Sequence, residues 1–216
     1  SAMLYFRDIR KACKAVVMFS KMTDKAGNRI VKGAELLDKK SLSSVNDTTG
    51  EGLTAILTEV KGNSPEELAE HIAEITKSLE NYELAVPIYF TDKEEEYSRY
   101  WAIRSGIFPS VGGTRPPGTT CLIEDVAFHI QDLPEAVADL QDLMEKHDYH
   151  DACIYGHSLE GNFHFIINQS FDTEQEIQRY ENLMNDVIAL VVDKYDGSLK
   201  AEHGTGRNMA PFVEYE

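Results

Sequence analysis

An α+β fold of two tandem ferredoxin-like (βαββαβ) units, with antiparallel sheets and helices packed on one face, is predicted by three observations. Short apolar runs of strand character alternate with segments whose apolar residues recur at helical spacing. The same order of elements is read twice along the 216 residues. The predicted helices open on residues suited to capping or starting a helix.

In the first unit, residues 1–91, "MLYF" reads as a strand, and 8–22 as a helix with Ile9, Cys13, Val16 and Val17 on one face. "IVKGAELL" and "LTAILTEV" are the next two strands. Ser64-Pro65-Glu66-Glu67 then supplies an N-cap, a proline at the first helical position and a capping-box glutamate, opening a helix with Leu68, Ile72, Ile75 and Leu79. "LAVPIYF" closes the unit as a strand. Residues 92–118 connect the units through a helix near 92–104 and a Gly/Pro-rich loop, "IFPSVGGTRPPG". The second unit, 119–216, starts with the strand "TTCLIEDVAF", and Asp132-Leu133-Pro134-Glu135 caps a helix carrying Val137, Leu140 and Met144. "DACIYGH" and "NFHFIINQ" form a hairpin, Asp172 with Gln175 caps a helix carrying Ile177, Tyr180, Leu183, Val187 and Val191, and "GSLKA" is the last strand.

Composition narrows the function classes. Hydrophobic content of 42% suits a globular protein with a proper core, and a formal charge of −16 repels phosphate backbones and anionic lipid, which excludes a nucleic-acid partner. An acidic substrate needs a local arginine working against that field. Cys13, Cys121 and Cys153 form no CxxC pair, so neither a disulfide framework nor a thiolate metal site is expected, and a reducing cytoplasm fits best. No apolar run reaches the roughly 20 residues of a membrane span. Ser1-Ala2-Met3 reads as a remnant before a methionine, which suggests an excised piece of a longer protein.

The unusual residues concentrate in "VGGTRPPGTTCLIEDV", "GHSLEGNFHF" and "GSLKAEHGTGRNMAPFVE". Taken alone, the second stretch is a tight turn that happens to carry imidazoles, with Gly156, Gly161 and Asn162 suited to positive φ. In a hairpin, however, His157 and His164 can face one another, and Glu202 or His203 can converge on them. Two imidazoles and a carboxylate with an open fourth position form a recurring catalytic zinc set. Glu124 and Asp125 read as capping and salt-bridging residues, and Arg207 reads equally as a substrate contact or a surface charge.

"GHSLEGNFH" resembles the GHxxxGNxH motif, and "AEHGTG" the EHGxG motif, of the C-terminal substrate domain of FAD-linked oxidases in the vanillyl-alcohol oxidase superfamily. The resemblance extends from "GAELLD" through "RSGIFPSVGGTRPPGTTCLIEDV" to the C-terminus, and is greatest to D-lactate and D-2-hydroxyglutarate dehydrogenase-like flavoproteins. It implies an FAD held mainly by another domain of the same polypeptide, a small D-2-hydroxy acid substrate, and in some members a following iron–sulfur domain. It implies that His157, His164 and Glu202 bind a divalent metal such as zinc, that His203 is the catalytic base, and that Arg115 and Thr119 bind the substrate carboxylate. A cytoplasmic protein, peripheral to the membrane at most, is expected, and this domain alone should be inactive. Ile123 and Ile166 stand where some members have lysine and asparagine, which puts any second polar group on the substrate in doubt. The competing readings are a stand-alone metal or small-ligand module without redox activity and a zinc hydrolase, the latter disfavoured because no HExxH helix is present.

Overall fold

The computed structural model describes residues 1–202 and 206–215, side chains excepted at 206–207 and 213–215. The expectation of an α+β fold with antiparallel pairing holds, but the strands form one six-stranded sheet in the order β1-β3-β2-β5-β6-β4. The first half supplies β1 (Ala2–Phe6), β2 (Val31–Leu37) and β3 (Thr54–Val60), and the second supplies β4 (Thr120–Ala127), β5 (Cys153–His157) and β6 (Asn162–Gln169). All the pairings are antiparallel, and β2 pairs with β5 to join the halves edge to edge.

The closing strand predicted for each half is not formed. Residues 84–91 run beside the β1 edge but, among the described residues, bond to it only at their two ends: Ala85 N–H to Tyr5 O at 2.9 Å, and the Ser1–Thr91 pair, Thr91 N–H to Ser1 O at 2.9 Å and the Ser1 amine to Thr91 O at 2.8 Å. Pro87 in this segment has no N–H to give a ladder. "GSLKA" forms no strand, only isolated bridges at Ser198, to Ala127, and at Ala201.

Helices cover both sheet faces, not one as predicted, because alternation along the strands is apolar on both sides. In β1, Ala2, Leu4 and Phe6 enter a large core while Met3 and Tyr5 enter a second, smaller one. The large core is closed by α1 (Ile9–Lys21), α3 (Pro65–Ser78), α5 (Leu133–Lys146) and α6 (Glu174–Ile188). Ser64 Oγ caps α3 as predicted, accepting from Glu67 N–H. Two other caps differ from expectation. Asp132 makes no side-chain cap bond to α5, and α6 is capped by Thr173, which accepts from Glu176 N–H, in place of Asp172.

The second face is covered by the short α2 (Lys39–Ser44) and by α4 (Glu94–Thr114). Most of the expected Gly/Pro loop is therefore helix. Burial of Ile107 and Val111 against the sheet outweighs the poor propensity of Pro109, Gly112 and Gly113. Near the site, α4 leaves part of this second face open.

Candidate metal and substrate site

Strand register assembles the site. His157 ends β5 and His164 lies on β6, and with Tyr155 paired to His164 the two histidines are diagonal neighbours on the same face. Their ring centroids are 6.0 Å apart with planes at 80°. Two glycines permit the tight hairpin: a Cβ on Gly161, whose φ is +70°, would sit 2.0 Å from Phe128 O, and one on Gly156 would sit 2.4 Å from Asn162 O.

Glu202 reaches in from beyond Leu199, whose side chain is fully buried. Its Oε2 is 2.9 Å from His157 Nε2 and 3.6 Å from His164 Nε2. One ligand atom from each of His157, His164 and Glu202 lies within 4.8 Å of the other two, and among the described residues this is the one such group. The structure brings these three sequence-predicted residues together. His203, the expected base, and the Arg207 side chain lie outside the described residues.

Three partners were not read from the sequence. Glu35, directly opposite His157 across β2 and β5, accepts from His157 Nδ1 through Oε1. Asp125, directly opposite His164 across β4 and β6, holds Oδ1 3.1 Å from His164 Nδ1. Asp125 was expected to cap or to form a structural ion pair, and it does pair, with the candidate ligand His164. Arg104 of α4 donates from Nε to Glu35 Oε2 at 2.6 Å, and its guanidinium carbon lies 4.6 Å from the Tyr155 ring centroid. Its two terminal nitrogens make no hydrogen bond among the described residues. The signal in the sequence was the period-two pattern of "GAELLD", which puts a glutamate on an otherwise apolar strand face.

The donor set fits a divalent ion of zinc type. Both imidazoles present Nε2 to a common point, with a carboxylate beside each Nδ1: Glu35 accepts from His157, and Asp125 lies in ion-pair contact with His164; carboxylates so placed orient histidine ligands in metal sites. Three carboxylates against one guanidinium leave the cluster net negative, the sign a dication needs. Burial works to lower the His157 pKa, but the hydrogen bond and charge of Glu35 and the charge of Glu202 outweigh it, so the pKa is raised. Burial pushes the Tyr155 hydroxyl up to about 12 against the opposing charge of Arg104, so it stays protonated.

Arg115 and Thr119 are not brought to this cluster. Arg115 caps the end of α4, donating from Nη1 to Gly112 O at 2.5 Å and from Nε to Thr119 O at 3.1 Å. Thr119 Oγ1 donates to Pro116 O at 2.6 Å. The β4 ladder separates the start of the strand, Thr120, from Asp125 by about 16 Å at strand rise. A cavity of about 560 Å³ lined by Val60, Leu68, Ile72, Phe90 and Trp101 shares no residue with the cluster. Its Glu59 and Lys61 pair with each other, 3.3 Å apart, so its chemistry is the poorer of the two.

An α+β domain carrying a two-histidine, one-carboxylate cluster on one sheet face is the class of protein that the fold and the site define. The family model for the C-terminal domain of FAD linked oxidases matches residues 1–216, and the chain belongs to that family. It is 24% identical over 184 residues to the glycolate oxidase subunit GlcD of Bacillus subtilis (strain 168), covering 83% of this chain and 38% of that protein. It is 26% identical over 203 residues, 86% of this chain and 37% of the other, to a mitochondrial protein of Schizosaccharomyces pombe (strain 972) named for D-lactate dehydrogenase. Among solved structures, alkyldihydroxyacetonephosphate synthase superposes with a TM-score of 0.56 at 13% identity, covering 91% of this chain and 39% of that one. The chain thus spans well under half the length of these relatives. No helix among the described residues is long and apolar enough to cross a membrane.

Proposed function

We propose that this chain is the substrate-binding domain of an FAD-dependent 2-hydroxy acid dehydrogenase whose divalent metal, zinc by donor type, is held by His157, His164 and Glu202. The observation that carries the reading is the convergence of these three donors within 4.8 Å beside Arg104. When bound, the metal supplies a Lewis acid that acidifies the substrate 2-hydroxyl, and the flavin supplies the hydride acceptor.

The chain's own residues do the rest. With a metal bound, Glu35 and Asp125 beside the two Nδ1 atoms would favour the protons there and leave both Nε2 atoms to ligate the ion. Arg104, with its terminal nitrogens uncommitted among the described residues, is the cation placed to take the substrate carboxylate in a bidentate pair. That assignment takes the place of Arg115, whose Nε and Nη1 donate to carbonyls, and Thr119, whose hydroxyl is likewise turned to a backbone oxygen. By the family resemblance, His203 takes the hydroxyl proton. Ile123 and Ile166 face each other across β4 and β6 two residues from Asp125 and His164, which favours a substrate with a small apolar side chain over one with a second carboxylate.

In this reading the FAD is held mainly by another domain of the same cytoplasmic polypeptide, with an iron–sulfur domain or other electron acceptor downstream of it, and this chain alone is inactive. The test is flavin bleaching of the full-length protein with a panel of D-2-hydroxy acids, with and without chelator. Bleaching by glycolate or D-lactate that chelator abolishes is expected. No bleaching by any hydroxy acid, with zinc still bound, would favour a binding module without redox activity.

A further inference from the structure

We infer that Glu35 is a positioning residue that orients the metal ligand His157 and the carboxylate-binding Arg104 at once, so that one buried side chain couples metal binding to substrate binding. This role presupposes the reading of the site given above. Glu35 is 5% exposed, and its reach is fixed by its place directly opposite His157 on the neighbouring strand. Its oxygens are divided between two donors: Oε1 takes His157 Nδ1–H, and Oε2 takes Arg104 Nε–H at 2.6 Å.

That division needs an acceptor at each position. A carboxylate provides it, whereas a glutamine offers one acceptor and one NH₂, which sets a donor against either the imidazole or the guanidinium. An opposed buried pair of donors costs more than a missing bond, so one of the two partners must turn away. Losing the bond to His157 frees the proton to move to Nε2, the atom that must be bare to ligate a metal. Losing the bond to Arg104 frees a guanidinium otherwise held between Glu35 and the Tyr155 ring. Because both partners are ordered through the same carboxylate, a ligand that fixes one lowers the cost of fixing the other, and the coupling is reciprocal.

The experiment uses this chain and zinc alone. Zinc affinity is measured by calorimetry for the parent, His157→Ala and Glu35→Gln proteins. The His157 tautomer is read by long-range ¹H–¹⁵N NMR in the zinc-free state at a pH where the ring is neutral. Glu35→Gln should weaken zinc binding by about 10- to 100-fold, the usual effect of removing a carboxylate behind a histidine ligand. It should also move His157 from the Nδ1–H form toward Nε2–H, which a merely structural role would not do. If Glu35→Gln fails to fold, Glu35→Asp keeps the charge and both acceptors one methylene short, and it too should weaken zinc and disturb the tautomer. Parental zinc affinity with an unchanged tautomer in a folded Glu35 variant overturns the inference and leaves the metal site standing. A parent chain that binds no zinc overturns the site itself.

Discussion

Asp125 and His164 stand directly opposite one another on β4 and β6, with Asp125 Oδ1 3.1 Å from His164 Nδ1 and both side chains almost fully buried. Asn162 adds a hydrogen bond from Nδ2 to the same oxygen at 2.5 Å. An imidazole so held cannot rotate to waste its Nε2. Asp125→Asn, which turns an acceptor pair into a mixed amide, should lower zinc affinity by about tenfold or more. Calorimetry on the folded variant checks this, and an unchanged affinity would remove Asp125 from the site.

Metal binding to the folded chain alone should raise its unfolding temperature. At a zinc concentration about 100 times Kd the gain is about 2.7 kcal/mol, or roughly 5–10 °C for a domain of this size. Glu202→Ala or His164→Ala should abolish most of that shift in a thermal melt. A shift of parental size in both variants would place the zinc elsewhere.

Arg104 and Arg115 should separate in kinetics. In the full-length flavoprotein, Arg104→Gln should lower kcat/KM for a D-2-hydroxy acid by at least about tenfold, roughly the worth of one charge-assisted hydrogen bond. Arg115→Gln removes a helix cap from an exposed turn and should cost about 1 kcal/mol of stability while leaving kcat/KM within about twofold. The opposite pattern would restore Arg115 as the carboxylate ligand.

Asp38 gives a pH signature independent of the metal. Burial pushes its carboxyl up to about 6 against the lowering hydrogen bonds from Ser41 and from the Ile154–Asp38 backbone contact. The folded state therefore holds a proton that the unfolded state has released, and stability is lost as pH rises from about 4 through about 6. Asp38→Asn keeps a cap acceptor for Ser41 N–H without the charge. It should be more stable than the parent by about 2–3 kcal/mol at pH 7 and indistinguishable at pH 4. Urea titrations at the two pH values test the sign, and equal effects at both would show that Asp38 is not the titrating group.

The two imidazoles were legible because they sit in a two-strand hairpin, where sequence spacing nearly equals spatial spacing, and Glu202, 45 residues from His157, through the resemblance of "AEHGTG" to a family motif. Glu35 was not, because its partner His157 is 122 residues away and is met only through the β2–β5 pairing. Arg104 was hidden by the same loss of range: reading the helix to end near 104 left no reason to lay that residue against the sheet, whereas burial of Ile107 and Val111 carries α4 on to Thr114. The first closing strand failed for a local reason that was visible, since Pro87 sits in the middle of "LAVPIYF".

The β2–β5 seam consists of three residue pairs, and one of them is Glu35 with His157. A slip of two residues would preserve the buried faces but set Gly33 or Leu37 opposite His157, and a slip of one would turn Glu35 into the helical core. Correct metal ligation is thereby a checksum on the joining of the two halves. A chain cut in the 115–119 turn should yield fragments whose reassembly zinc promotes, so an ion bound at the proposed site would also proofread the fold.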